Sequence, residues 1–279
     1  MEDDLRGCVF RQEPGFDSAG RTYADSSSVW ELFGQCWHDT CRSAWRKASA
    51  NEDGVLGGIT QIHGVDVAAT AKFLDEIAFE TTETCVDLCA GIGRVADAVL
   101  FERFEHVDLV DALPHMVKAA KKRCGDKPRK LICQSMRHFN PPANSYDLVF
   151  MQWSTDNARD DDLIATLKRC AASLKQGGRL VLKENHNIYG DGFYFDLKDG
   201  SITRSLRQFR RVMASASLRI VRAQEQDNLP SDLFPVRMWE LAPFVASETS
   251  IQIDPAEHSP LCQASTVRMK ACTHTRLQH

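Results

Sequence analysis

No stretch of this chain stays apolar for the roughly 18 residues that crossing a bilayer requires, so no membrane span is expected. The first residues, Met1-Glu2-Asp3-Asp4, are acidic where a secretory leader would be basic and then apolar. A basic surplus is missing too. Thirty-four Lys and Arg stand against 38 Asp and Glu, a net charge of −4, which removes the electrostatic argument for direct nucleic-acid binding. The 10 cysteines include no Cys-x-x-Cys pair and no metal-type repeat, and the 9 histidines are scattered. Neither a zinc site nor a disulfide framework is indicated, and no metal is expected. Cys85, Cys89 and Cys133 fall in or beside expected strands and read as small buried hydrophobes. These absences lead to the expectation of a soluble intracellular protein; a monomer of cytoplasm, nucleus or both is expected.

What is present is enough for one full core with extensions: 279 residues, 43% of them hydrophobic and 26% charged. Residues 1–27 are polar and rich in Gly, Ser and Asp, and read as a flexible arm. Trp30, Phe33, Trp37, Cys41 and Trp45 then recur at helical spacing, so one amphipathic helix is expected over 29–47, and a second over 66–77 after the loop 51–58. From Thr84 the pattern alternates. Strands are expected over 84–88, 106–110, 131–133, 146–151 and 179–183, with helices over 92–101, 114–123 and 161–174. A helix over 202–214 and strands over 218–223 and 236–241 follow, the last two as a hairpin that adds an antiparallel strand. This is an α/β domain over 28–243, a helical lid over 28–80 and a Rossmann-like core over 81–243, with a mostly parallel seven-stranded sheet and helices on both faces. The tail 244–279 lacks sustained periodicity and is expected to be disordered.

Chemistry is carried first by the turn after the 84–88 strand. Gly91 and Gly93 can take positive φ and have no Cβ to keep a ligand from backbone N–H groups at a helix start. Asp111 ends the next strand, where a carboxylate can accept from both hydroxyls of a ribose. The pair alone says only nucleotide. Gly91-Ile92-Gly93-Arg94-Val95-Ala96 also fits a dinucleotide fingerprint, so an NAD enzyme competes, as does a turn needed only for packing. Three features favour S-adenosylmethionine: two helices and a loop precede the motif, no second nucleotide half follows, and Arg94 could pair with the carboxylate of a methionine moiety.

Further segments carry a resemblance. They are Asp53-Gly54-Val55-Leu56-Gly57-Gly58, Ala90-Gly91-Ile92-Gly93-Arg94, Val107 to Asp111, Ser145-Tyr146-Asp147, Gln152-Trp153, Leu182-Lys183-Glu184-Asn185 and Asp227-Asn228-Leu229-Pro230. Together they resemble the protein N-terminal (α-N) methyltransferases, class I enzymes acting on proteins that begin X-Pro-Lys or X-Pro-Arg. The resemblance implies S-adenosylmethionine held by Gly91, Arg94, Asp111 and Gln152, with Met136 and Arg137 beside the adenine, and S-adenosylhomocysteine as product.

Methylation of an α-amine needs its neutral form, and the group's pKa near 7.7–8.0 leaves most of it protonated at neutral pH. An enzyme must therefore take a proton and aim the lone pair. By resemblance Asn185 anchors the first residues of the peptide, and Asp199 orients the amine and accepts its proton. Asp196 and Ser201 match positions that meet the third-place Lys or Arg. Trp153 matches the aromatic on the second-place Pro, Phe234 an aromatic of the same site, and Trp45, Leu56, Gly57 and Ile62 the lid. Each has a bland reading: Asn185 as a turn residue, Asp196 and Asp199 as a solvated loop or helix cap, Trp45 and Trp153 as core. Four positions depart from the family. Cys89 opens the glycine turn, Asn157 stands where His is usual, and Phe234 and Ile59 stand where Tyr is common. A side chain at the Cys89 position costs about 1 kcal/mol if the turn needs φ > 0. Two alternatives remain at this level: a peptide reader without turnover, and a small-molecule methyltransferase of the same fold.

Overall fold

The computed structural model describes residues 13–34 and 36–244. Its central sheet has seven strands in the order β10-β11-β7-β6-β3-β4-β5. These are β3 (Thr84–Leu88), β4 (His106–Asp111), β5 (Lys130–Cys133), β6 (Tyr146–Gln152), β7 (Leu174–Asn185), β10 (Leu218–Glu225) and β11 (Val236–Pro243). Strands β3 to β7 are parallel, while β11 runs antiparallel to β7 and β10 antiparallel to β11. The expected terminal hairpin is therefore present.

Side chains alternate faces along a strand, and here both faces are apolar. Val86, Val110, Val149 and Leu182 point to one side, where Leu163, Leu167 and Cys170 of α6 (Asp160–Ser173) and Phe209, Val212 and Met213 of α7 (Leu206–Ser215) cover them. Cys85, Leu109, Leu148 and Val181 point to the other. Phe73 and Leu74 of α4 (His63–Asp75), the helix after Arg94, and Ala120 and Cys124 of α5 (Pro114–Cys124) close that side. A parallel sheet needs cover on both faces, and this one has it.

The boundaries differ from expectation in five places. The helix expected over 92–101 starts later and opens into a π-helix over Ala96–Leu100, because Gly91 and Gly93 hold the turn at φ of 54° and 73°. Strand β7 extends well before Arg179, its start at Leu174 pairing with Tyr146. The helix expected from 202 begins at Leu206, behind a capping box between Ser205 and Gln208, because β9 (Ile202–Arg204) pairs with β8 (Phe193–Phe195). The fourth difference is the arm. Over its described part, β1 (Gly15–Asp17) runs parallel to β8 and β2 (Thr22–Tyr23) antiparallel to β1, giving a second sheet β2-β1-β8-β9. The carboxylate of Asp17 organises it by accepting from the backbone of Ala19 and Arg21 at 2.9 Å each and from the Tyr23 hydroxyl at 2.8 Å. Residues 1–12 of the expected arm and 245–279 of the expected tail lie outside the described residues.

The fifth is the helix expected over 29–47, which is two, α1 (Ser26–Phe33) and α2 (Cys36–Lys47), because Gly34 ends the first at φ of 49°; the short α3 (Glu52–Val55) follows. No helix among the described residues is long and apolar enough to cross a membrane.

Candidate functional site

A cavity of about 980 Å³ opens at the C-terminal ends of β3, β4, β5 and β6, under α2. Its base is the glycine turn. The Gly91 N–H donates to Asp111 Oδ2 and the Leu113 N–H to Asp111 Oδ1, both at 2.9 Å, so one carboxylate ties the turn to the end of β4. A Cβ on Gly93 would stand 2.7 Å from Cys124 Sγ, which is why helix α5 can lie so close. Cys89 adopts φ of 70°, a left-handed conformation that costs a non-glycine residue about 1 kcal/mol. The turn keeps its shape regardless: the N–H groups of Cys89 and Ala90 both donate to the Val110 carbonyl, at 2.8 and 2.9 Å. Burial pushes the Cys89 thiol well up.

Asp87, on β3, lines the same cavity. Burial pushes its carboxyl up to about 7, with the Arg94 charge opposing and Asp111 adding to the rise. Burial raises the Asp111 carboxyl as well.

Beneath the cavity lies a buried charged group centred on Asp66 of α4. Its carboxylate accepts from Arg94 at 2.7 Å, Lys183 at 2.5 Å and the Gln152 amide at 2.9 and 3.0 Å. Lys183 also donates to Thr70 Oγ1 at 2.9 Å. Burial pulls the Lys183 ammonium down; it opposes the two cations that hold the Asp66 carboxyl low. Arg94 and Lys183 lie over the Trp153 ring, 5.5 and 5.8 Å from its centre. Trp153 follows β6 with φ of 48°. The turn after it hangs on Glu184, whose Oε2 accepts from the N–H groups of Ser154 and Thr155 and the Thr155 hydroxyl, each at 3.0 Å.

Asn185 ends β7 opposite Val236 and is 2% exposed, yet among the described residues neither atom of its side-chain amide has a hydrogen-bond partner. Val236 belongs to an apolar cluster with Leu56, Ile62, Trp153 and Leu233, and Trp45 packs against it. The sequence-derived lid residues and the aromatic are thus brought together, with Gly57 at φ of 58° just after α3. Asp196, Asp199 and Ser201 share the tight turn between β8 and β9. Asp196 Oδ1 accepts the Lys198 N–H at 2.8 Å, and Asp199 Oδ1 accepts the Ser201 N–H at 2.8 Å and the Ser201 hydroxyl. Among the described residues nothing donates to Asp199 Oδ2. The Gly200 carbonyl accepts from the Cys41 thiol of α2 at 3.4 Å, and Cys41 in turn lines the cavity.

Of the sequence-derived residues, Gly91, Arg94, Asp111, Met136, Arg137, Gln152, Trp45 and Trp153 line the cavity, as does Asn157. Leu56, Gly57, Ile62, Asn185, Asp196, Asp199, Ser201 and Phe234 do not. Phe234 instead joins an aromatic group, its ring 5.9 Å from Tyr189 and 5.7 Å from Tyr194. Sequence reasoning missed Asp87, Asp66, Lys183 and Glu184. For Asp87 a signal was present, an acid two residues before the Cys89 turn. Asp66 gave none, since its partners lie 28 to 117 residues away. Among the described residues no group of three or more His, Cys, Asp or Glu is placed to hold a metal ion.

Comparison with known proteins places this geometry. The family model for AdoMet-dependent proline di-methyltransferases matches residues 34–242. An α-N-terminal protein methyltransferase 1 of Schizosaccharomyces pombe is 33% identical over 205 residues, 71% of this chain and 93% of that protein. The human N-terminal Xaa-Pro-Lys N-methyltransferase 1 is 30% identical over 213 residues, 74% of this chain and 95% of its own. A solved structure of a SAM-dependent methyltransferase from Leishmania major superposes with a TM-score of 0.79 at 30% identity, covering 82% of this chain and 96% of that one. With the glycine turn, Asp111 and the cavity above them accounted for, the chain belongs to the family of AdoMet-dependent proline di-methyltransferases and is a SAM-dependent enzyme.

Proposed function

We propose that the protein transfers methyl groups from S-adenosylmethionine to the α-amino group of protein N-termini, of the X-Pro-Lys type named for its relatives or the X-Pro-Arg type that the sequence resemblance adds. The residues present fit that cofactor. The cavity has room for a nucleoside and an amino acid, its base is a glycine turn at a helix start, and Asp111 closes the end of β4. Asp111 would face the ribose, Met136 and Arg137 the adenine, and Gly91, Arg94 and Gln152 the methionine portion, with Asp87 beside them. When bound, S-adenosylmethionine supplies a methyl group made electrophilic by its sulfonium.

The observation that carries the acceptor assignment is Asn185. A buried amide with both atoms unmatched costs stability, and it is explained if a peptide's first residues supply the missing partners. Trp153, next to the turn that Glu184 holds and in contact with two cations, offers a flat face for a second-position proline. Asp199 takes the proton from the α-ammonium through Oδ2 while Ser201 holds Oδ1 in place. That frees the nitrogen lone pair; the carbon–nitrogen bond would form as the methyl–sulfur bond breaks, and the methylated ammonium then gives a second proton to solvent. Asp196 and Ser201 meet the third-position Lys or Arg.

The test is mass spectrometry on an X-Pro-Lys peptide. Mass increments of whole methyl groups are expected, and Asp199→Asn should slow their appearance by about 10²–10⁴-fold. A protein that binds S-adenosylmethionine but methylates no peptide in an N-terminal library would sink the assignment. Activity on small metabolites that ignores Asp196→Ala would point to the small-molecule alternative.

A further inference from the structure

The family match begins at residue 34, yet the segment before it is built into the acceptor side of the molecule. In β1, Phe16 lies opposite Tyr194 and Asp17 opposite Phe195. Two glycines permit the approach: a Cβ on Gly15 would lie 2.5 Å from the Phe193 carbonyl oxygen, and one on Gly192 would lie 1.7 Å from that of Pro14. Beyond β1, the Ser18 N–H donates to the Phe195 carbonyl at 2.9 Å, and the Ser18 hydroxyl accepts the Leu197 N–H at 3.1 Å. Leu197 sits between Asp196 and Asp199, inside the turn that carries the proposed base.

The rest of the segment anchors this contact. Val29 and Trp30 of α1 bury Phe193, Phe195 and Ile202, with the Phe33 ring 5.1 Å from that of Phe195. Ser26 donates to Asp160 Oδ2 at 2.7 Å, and Asp160 Oδ1 accepts from Arg204 of β9 at 2.8 Å. Glu13 pairs with Arg211 of α7 at 3.1 Å. Phe16 also rests edge-on against Tyr194, 5.5 Å between ring centres, and Tyr194 supports Phe234.

An isolated two-stranded hairpin is at best marginal in water, and β8 and β9 have three residues each. Proton transfer tolerates little misplacement, about 1 Å costing two orders of magnitude. We propose that residues 13–33 are a strap that positions the Asp196 to Ser201 turn, with Ser18 as the positioning residue that grips it directly. The inference rests on the assignment of Asp199 to the acceptor site. It separates the two ligands, because no residue of 13–33 lines the cavity where the cofactor is placed.

The full-length protein tests it in three variants. Gly15→Ala drives a Cβ into β8, Ser18→Ala removes one hydrogen bond, and Ser18→Thr keeps the hydroxyl. Amide hydrogen exchange at Leu197, Gly200 and Ser201 is expected to speed up about tenfold in Gly15→Ala and about threefold at Leu197 in Ser18→Ala, with Ser18→Thr close to the unaltered protein. On an X-Pro-Lys peptide, KM should rise and kcat fall in the same order, while S-adenosylmethionine affinity by calorimetry stays unchanged. Unaltered exchange at the turn in Gly15→Ala overturns the proposal. So does an equal loss of cofactor affinity, which marks a general structural defect. If the unaltered protein methylates no N-terminal peptide, the acceptor assignment fails, and the exchange rates still decide whether the strap holds the turn.

Discussion

Asn185 and Asp87 are both buried polar side chains that the fold alone does not explain, and they differ in what their removal should do. Asn185 gives up no hydrogen bond when truncated, because its amide has none to lose. Asn185→Ala is therefore expected to leave stability unchanged, or raise it by about 1 kcal/mol, while cutting methyl transfer to an X-Pro-Lys peptide at least about 100-fold. Chemical denaturation and steady-state kinetics on the same sample check both halves, and a loss of stability would show the amide to be structural. Asp87 carries a sign that can be worked out. Its carboxyl is raised from 3.8 to about 7 by burial, so charging it costs more in the folded chain than in the unfolded one. That penalty is absent below pH 3.8, where both states are protonated, grows as pH rises to about 7, and is complete above it. Asp87→Asn should accordingly raise the melting temperature of the cofactor-free protein at pH 8, by a stability gain of at most about 4 kcal/mol, and hardly at all near pH 4. The same variant should bind S-adenosylmethionine more weakly, measured by calorimetry.

Between elements, the Asp66 group is the joint that fastens α4 to β6, β7 and the helix after the glycine turn. Asp66→Ala leaves Lys183, itself fully buried, without its counter-charge, and is expected to cost about 3–5 kcal/mol in denaturant unfolding. If the loss is below about 1 kcal/mol, Lys183 has found water or shed its proton. Elements also show where sequence reasoning carries and where it stops. The parallel strands were legible because Val86, Val149 and Leu182 sit in short apolar runs bounded by glycine and polar residues. The glycine turn was legible because its signal is local, from Cys89 to Arg94, and the family because its motifs recur along the chain. Strands β1, β8 and β9 were not legible. Each has only three residues, too few for alternation to register, and Ile202 sits close enough to Leu206 and Phe209 to mimic a helical stripe. The Asp66 group was hidden for another reason: its charges come from distant segments, and any one of them alone reads as a surface residue.

At the scale of the molecule, two sheets divide the work. The seven-stranded sheet holds the cavity, and the four-stranded one holds the turn with Asp196, Asp199 and Ser201. Helix α2 lies between them, lining the cavity with Trp45 and touching the turn through Cys41. A ligand that binds only the folded state at 100 times its dissociation constant adds about 2.7 kcal/mol. Saturating S-adenosylmethionine should thus raise the melting temperature, and absence of any shift would count against a preformed cofactor site.

The second sheet has a practical consequence. A chain begun at residue 34, where the family model's match starts, would lose Val29 and Trp30 and lay bare Trp37, Phe193, Phe195 and Ile202. Such a chain should be less stable by about 3–5 kcal/mol and should self-associate on a sizing column, since exposed apolar patches of this kind promote aggregation. The family model's bounds and mechanical integrity thus end at different residues. A fragment cut to the shared stretch would carry every group assigned to the chemistry and lack the wall those groups lean on.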